Sequence, residues 1–125
     1  MSLLLDTHIL LWWLSDDPLL PPAARHAISA PANEVLVSAA TIWEIAIKEA
    51  AGRLEVPGDL LEAIDGDDFD MLPITATHAI AAGSLPLHHA DPFDRMLIAQ
   101  ARSHRLVLVS VDDRFSRYDV ELLPL

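Results

Sequence analysis

Short apolar runs of strand length alternate along this chain with stretches whose apolar positions recur at helical period, the pattern of a largely parallel sheet covered on both faces. The expected fold class is α/β. Leu3-Leu4-Leu5 predicts a buried first strand closed by Asp6-Thr7-His8, and Ile9 to Leu14 predicts a helix stopped by Ser15-Asp16-Asp17-Pro18. Pro21-Pro22 opens a second helix through Ala30. Val35-Leu36-Val37 reads as the second strand, and Ala39 to Ala51 as a helix with Gly52 placed to cap its end. A short helix is expected from Pro57, a third strand over Met71-Leu72-Pro73-Ile74, and an alanine-rich helix from Thr77 that Gly83 and Pro86 bring to a close. Leu87 to Ala90 reads as loop. Asp91-Pro92 is a strong helix start, because aspartate accepts from free backbone N–H groups and proline at the first position gives up a donor that has no partner there. That helix should run to His104. Leu106 to Val109 predicts the fourth strand and Glu121 to Leu123 a short fifth, so the central parallel sheet should hold four to five strands.

A parallel β/α sheet brings the carboxyl ends of its strands and the amino ends of the following helices to one edge, where ligands bind. Four acids from separate segments fall there. Asp6 follows the first strand, Glu44 lies in the early turns of the helix after the second, Asp94 is in the first turn of the helix entered at Asp91, and Asp112 follows the fourth strand. Carboxylates gathered on one rim raise each other's pKa unless a cation intervenes, and hard oxygen donors without thiolates suit Mg²⁺ or Mn²⁺. Each acid also has a structural reading. Asp6 can begin a turn, though an acid directly after a buried strand is costly without a partner. Thr41-Ile42-Trp43-Glu44 has capping-box spacing and Glu44 to Lys48 is an i,i+4 pair. Asp94 favours the helix dipole, and either Asp112 or Asp113 can start the next helical turn. We take Asp112 as the fourth member, because Asp113 lies one residue further from the strand end.

The size, 125 residues and 13.7 kDa, is that of one domain spanning 1–125. With 52% hydrophobic residues the chain has ample surface to bury. Its longest apolar run, Ile9 to Leu14, falls far short of the roughly 18 residues needed to span a bilayer, and no basic residue precedes the first strand as in a secretory signal. The absence of cysteine removes disulfides, thiolate metal sites and cysteine nucleophiles, and fits a cytoplasmic location. The net charge of −11 disfavours binding nucleic acid through a broad basic surface. Much of it is local: Glu55, Asp59, Glu62, Asp65, Asp67, Asp68 and Asp70 share one stretch without Lys or Arg, read as a solvated face. Arg95, Arg102, Arg105, Arg114 and Arg117 lie in the half that holds the third and fourth acids; each also reads as part of a solvated helix face, and Arg95, beside Asp94, is the best placed of them to contact a phosphate. His8 is ambiguous, and His88-His89 reads as a solvated pair, since no third ligand is spaced to join it. Trp12, Trp13 and Trp43 are expected to pack rather than stack on bases, with one of the adjacent Trp12-Trp13 pair facing a partner. Phosphate-binding loops, dinucleotide fingerprints, nucleophile elbows and zinc-protease motifs are absent.

Leu4 to His8, Ser38 to Lys48 with Trp43-Glu44-Ile45-Ala46, Asp91-Pro92-Phe93-Asp94-Arg95-Met96-Leu97-Ile98-Ala99-Gln100-Ala101 and Ser110-Val111-Asp112 resemble, in order, the motifs of PIN-domain ribonucleases. More narrowly they resemble the VapC-type toxins of toxin–antitoxin pairs. The likeness spans Leu3 to about Phe115 and implies a three-layer α/β/α fold and a Mg²⁺-dependent endoribonuclease. It further implies a homodimer and inhibition by a cognate antitoxin protein. By position, Asp6, Glu44 and Asp94 match the family's most regular catalytic, metal-holding acids and Asp112 the more variable fourth. Thr7 and Ser110 match hydroxyls that orient water or a ligand. The resemblance also implies products with 3′-hydroxyl and 5′-phosphate ends, as when water rather than the ribose 2′-hydroxyl attacks. Two other readings carry different expectations: a catalytically silent PIN-like protein-binding module, and a metal-dependent phosphatase or DNA nuclease on the same fold.

Overall fold

The computed structural model describes residues 1–125. In chain order the elements are β1 (Ser2–Leu5), α1 (Thr7–Leu14), α2 (Pro22–Ser29), β2 (Glu34–Ser38), α3 (Ala39–Ala50), α4 (Leu60–Gly66), β3 (Asp70–Leu72), α5 (Ala76–Ser84), α6 (Pro92–His104) and β4 (Val107–Val109), followed by a 3-10 helix at Asp113–Arg117. The strands form one parallel sheet in the order β3-β2-β1-β4. Leu4 is the hub of the register, facing Leu36 of β2 on one side and Leu108 of β4 on the other.

Alternation along β1 divides the interior into two cores. Leu3 and Leu5 join Ile9, Leu10, Ala24, Ile28, Ile45 and Ile64 on the face covered by α1, α2 and α4. Leu4 points the other way, into Leu97, Ile98, Ala101, Leu106, Leu108 and Phe115 beneath α6. Because both faces are buried, β1 and β4 read as unbroken apolar runs rather than alternating ones. The result is a three-layer α/β/α arrangement. Truncating Leu4, fully buried between two neighbouring strands, to alanine costs about 2–5 kcal/mol by analogy with other core leucines.

Several boundaries differ from the sequence expectations, for local reasons. Helix α1 starts at Thr7, two residues early, because the Asp6 side chain accepts from the Ile9 N–H and caps it. Helix α4 starts after Asp59, whose carboxylate accepts from the N–H groups of Leu61 and Glu62, rather than at Pro57. β3 begins at Asp70 and stops before Pro73, which has no N–H to give a ladder. The fifth strand reduces to one parallel bridge, Leu108 to Leu122, at the open edge of β4. The C-terminal end of α3 is as expected. Gly52 takes φ +70°, and the N–H groups of Gly52 and Arg53 reach the carbonyls of Glu49 and Lys48, closing the helix in a Schellman motif. No helix is long and apolar enough to cross a membrane.

Candidate active site

The strand order reverses between β1 and β4: from β1 the chain builds outward through β2 and β3, then returns to add β4 on the other side. Such a switch point leaves a crevice at the carboxyl edge of the sheet. Asp6 leaves β1 at that point and Ser110 leaves β4 beside it. The Ser110 hydroxyl donates to Asp6 Oδ2, and its oxygen accepts the N–H of Asp112 at 3.0 Å, so one serine ties the ends of both strands. From the other side Thr7 Oγ1 donates to Glu44 Oε1 at 2.5 Å, and Lys48 holds Glu44 Oε2 at 2.7 Å. Thr7 and Ser110 thus each hold a neighbouring acid.

Asp112 takes a paired contact from Arg114, with Nη2 2.7 Å from Oδ2 and Nε 3.1 Å from both oxygens. The same Nη2 lies 3.7 Å from Asp94 Oδ2, so Arg114 spans two of the acids. Asp113 is exposed at the head of the 3-10 helix, while Asp112 caps that helix and faces the other acids. Asp94 is fixed in the first turn of α6, where Asp91 accepts the N–H groups of Phe93 and Asp94.

Electrostatics bind these four acids together. Burial, together with Asp91, Asp112 and Glu44, pushes the Asp94 carboxyl up to about 7, against the pull of Arg114. Burial also raises Asp6, against the hydrogen bonds from Ser110 and Ile9, and Asp112 adds to the rise. The Arg114 guanidinium holds Asp112 below the usual carboxylate range. The centre is therefore short of positive charge, and its donors are all oxygen, which fits a small hard divalent cation. The carboxylates do not close into a ready-made cage. Glu44 is turned toward Thr7 and Lys48 and Asp112 toward Arg114, so a cation would have to draw both from those partners.

Two expectations about neighbouring residues are corrected. Arg95 is buried and turned away from any phosphate. Its guanidinium donates to the carbonyls of Pro86 at 2.9 Å, Ala82 at 3.0 Å and Leu85 at 2.9 Å, which ties the α5–α6 loop to α6. An arginine four residues after a capping aspartate sits one turn further round the helix, and here that face meets the α5 C-terminus. The arginine at the centre is Arg114, which sequence position alone did not separate from its neighbours. His88 is exposed, as a solvated histidine should be, but His89 is not: Nε2 lies 3.3 Å from Asp94 Oδ2 and Nδ1 lies 3.0 Å from the Tyr118 hydroxyl. Burial and the nearby Arg114 hold His89 below the usual histidine range. No spacing signal connects Tyr118 to His89 across 29 residues.

Of the three tryptophans, two pack as expected and the third is exposed. Trp12 and Trp13 both pack on the α1-side core, with Trp13 against Phe69 and its Nε1 donating to Asp67 at 3.0 Å. Trp43 is 61% exposed and edge-on to Phe93 at the rim of the acidic centre. The acidic residues from Glu55 to Asp70 are exposed, the solvated face their composition suggested.

Residues 3–121 match the family model described as PIN domain. The chain belongs to the PIN domain family. Over 116 residues it is 31% identical to Ribonuclease VapC22 of Mycobacterium tuberculosis, covering 90% of this chain and 88% of that protein. Among solved structures it resembles VapBC2 from Rickettsia felis bound to a promoter DNA fragment, with a TM-score of 0.73, 15% identity and 99% and 98% coverage. It also resembles DNA-bound VapBC from Salmonella typhimurium, with a TM-score of 0.72, 19% identity and 98% and 96% coverage. At those identities the structures speak for the PIN fold, and the curated relative and family model for the membership.

Proposed function

We propose that this PIN domain is the ribonuclease toxin of a toxin–antitoxin pair, a Mg²⁺-dependent endoribonuclease that hydrolyses RNA phosphodiester bonds. The observation that carries the reading is the meeting of Asp6, Glu44, Asp94 and Asp112 at the β1/β4 switch point in a chain 31% identical to a VapC ribonuclease. Asp6 and Asp94 are the principal holders of a divalent ion, Mg²⁺ or Mn²⁺, with Glu44 and Asp112 completing the set. When bound, such an ion makes a phosphate more electrophilic and stabilises the leaving oxygen.

The chain's own groups do the positioning. Thr7 and Lys48 hold Glu44 and Ser110 holds Asp6, while the amino ends of α1, α3 and α6 open onto the same edge, where the helix dipoles favour the negative charge of a phosphate. Arg114, exposed and already spanning Asp94 and Asp112, is the cation best placed to take a substrate phosphate once those acids turn elsewhere. Water adds to phosphorus as the P–O3′ bond breaks, and the departing 3′-oxygen takes a proton, which leaves 3′-hydroxyl and 5′-phosphate ends.

The partners of this reading are an RNA substrate, a cognate antitoxin protein and a second copy of the chain, in the cytoplasm. Presenting the purified protein with structured RNA, DNA of the same sequence and a phosphomonoester, each with Mg²⁺, tests it. Cleavage confined to RNA is expected. Turnover of DNA or the phosphomonoester in preference to RNA would replace the reading with the nuclease or phosphatase alternative, and inertness toward all three would favour a binding module.

A further inference from the structure

Asp94 stands among the acids of the centre, yet within the chain its side chain meets only His89 at 3.3 Å and, further off, Arg114 at 3.7 Å. What holds His89 therefore decides how the Asp94 carboxylate stands. The imidazole sits on the α5–α6 loop, whose carbonyls at Leu85 and Pro86 are pinned by the buried Arg95. Tyr118, itself buried, arrives from the end of the 3-10 helix and touches both the loop and the arginine.

Counting donors fixes the protons. The Tyr118 hydroxyl oxygen receives the His89 backbone N–H at 3.3 Å and Arg95 Nη1 at 3.5 Å. With both donors directed at that oxygen, the hydroxyl's own proton is directed to its remaining neighbour, His89 Nδ1, at 3.0 Å. Nδ1 is then an acceptor, and the ring proton resides on Nε2, facing Asp94 Oδ2. Oδ1 accepts no hydrogen bond within the chain and stays open to the rim.

We infer that Tyr118 sets the tautomer of His89, and that His89 acts as a positioning residue that orients the Asp94 carboxylate so that one oxygen is held and the other is offered to a cation. This deepens the reading of Asp94 as a cation holder and rests on it. Arg95 anchors the assembly from behind, which gives its burial a purpose at the site without contact to substrate. Groups of this kind behind metal ligands typically govern affinity by about 10–100-fold.

The test uses the full chain. Long-range proton–nitrogen NMR of histidine-labelled protein, above the histidine titration range, reads the His89 tautomer directly. A proton on Nε2 and a bare Nδ1 are expected in the wild type, giving way to a mixture in Tyr118→Phe. Mn²⁺ binding followed by electron paramagnetic resonance is expected to weaken by about 10-fold or more in His89→Ala. It should recover most of the loss in His89→Gln, whose amide N–H reaches nearly as far as Nε2; a merely structural gap at position 89 would not discriminate by donor. A wild-type proton on Nδ1 overturns the tautomer assignment. Unchanged Mn²⁺ affinity in His89→Ala, with the wild type binding, overturns the positioning role alone. A wild type that binds no Mn²⁺ overturns the cation reading of the acids and the role of His89 with it.

Discussion

Replacing Asp94 by asparagine should stabilise the metal-free protein, and the gain should depend on pH in a calculable way. The Asp94 carboxyl moves from an ordinary 3.8 to about 7 in the fold, chiefly through burial and then through Asp91, Asp112 and Glu44. A folded-state value above the unfolded one favours the protonated acid, so stability is fullest below 3.8 and is lost as pH rises through about 7. Linkage gives a penalty for wild type of about 4 kcal/mol near pH 8 and about 2 kcal/mol near pH 5. Asparagine mimics the neutral acid in shape and can still accept from His89, so it escapes most of this penalty. Urea unfolding of wild type and Asp94→Asn in EDTA at both pH values measures the difference. A gain roughly twice as large at the higher pH supports the reasoning. Equal stabilities at both, or an asparagine variant less stable near pH 8, would mean that the acids are not crowded as described. Added Mn²⁺ should narrow the gap near pH 8 and reverse the order near pH 5, because a ligand that binds only the folded wild type stabilises it by mass action, about 2.7 kcal/mol at a hundredfold excess over Kd.

Other expectations follow from single contacts. Arg95→Met should lower stability by about 3 kcal/mol in denaturant unfolding, because three carbonyls at the α5 end and in the loop after it lose a charged donor; undiminished stability with weaker RNA binding would restore Arg95 to the phosphate-contact role. His78 is held below the usual histidine range by burial and by His104, its Nδ1 accepting from Thr75 and its Nε2 2.7 Å from His104 Nε2. A depressed folded value means stability present above 6.5 and lost as pH falls through the lower value, so His78→Gln should flatten the acid side of the stability profile, and an unchanged slope would refute the assignment. Asp112→Asn should abolish most RNA cleavage while Asp113→Asn, altering an exposed residue, should leave it nearly intact; the opposite result would move the fourth acid by one position.

What the sequence disclosed and what it hid divide along a physical line. β1 and β4 are legible because strands buried on both faces need continuous apolar residues, and α6 because Asp91-Pro92 carries its start in two adjacent side chains. The placement of Asp6, Glu44 and Asp112 on one rim follows from parallel topology, since each comes just after a strand or early in the following helix; Asp94 joins them because α6 leads back into the parallel strand β4 and so starts at that edge. Tertiary partners are a different matter. Arg95 looked like a ligand to phosphate because its neighbour in sequence is an acid, but a helix turns about 100° per residue and that turn sends it into the α5 end. His89 looked solvated beside His88, and only Tyr118, brought back by the chain after β4, makes it part of the centre. Short terminal segments were hardest to place: Glu121 to Leu123 has strand composition, yet contributes one bridge at the edge of the sheet.

The central claim is a cation-dependent ribonuclease built on four acids, and cleavage of a mixed pool of structured RNA tests it most directly. Wild type with Mg²⁺, the same protein with EDTA, and Asp94→Asn purified identically should be compared after confirming that no antitoxin has co-purified. The account predicts discrete cuts with 5′-phosphate ends in the first sample and none in the other two. Cuts that persist in EDTA, or equally in Asp94→Asn, would contradict it.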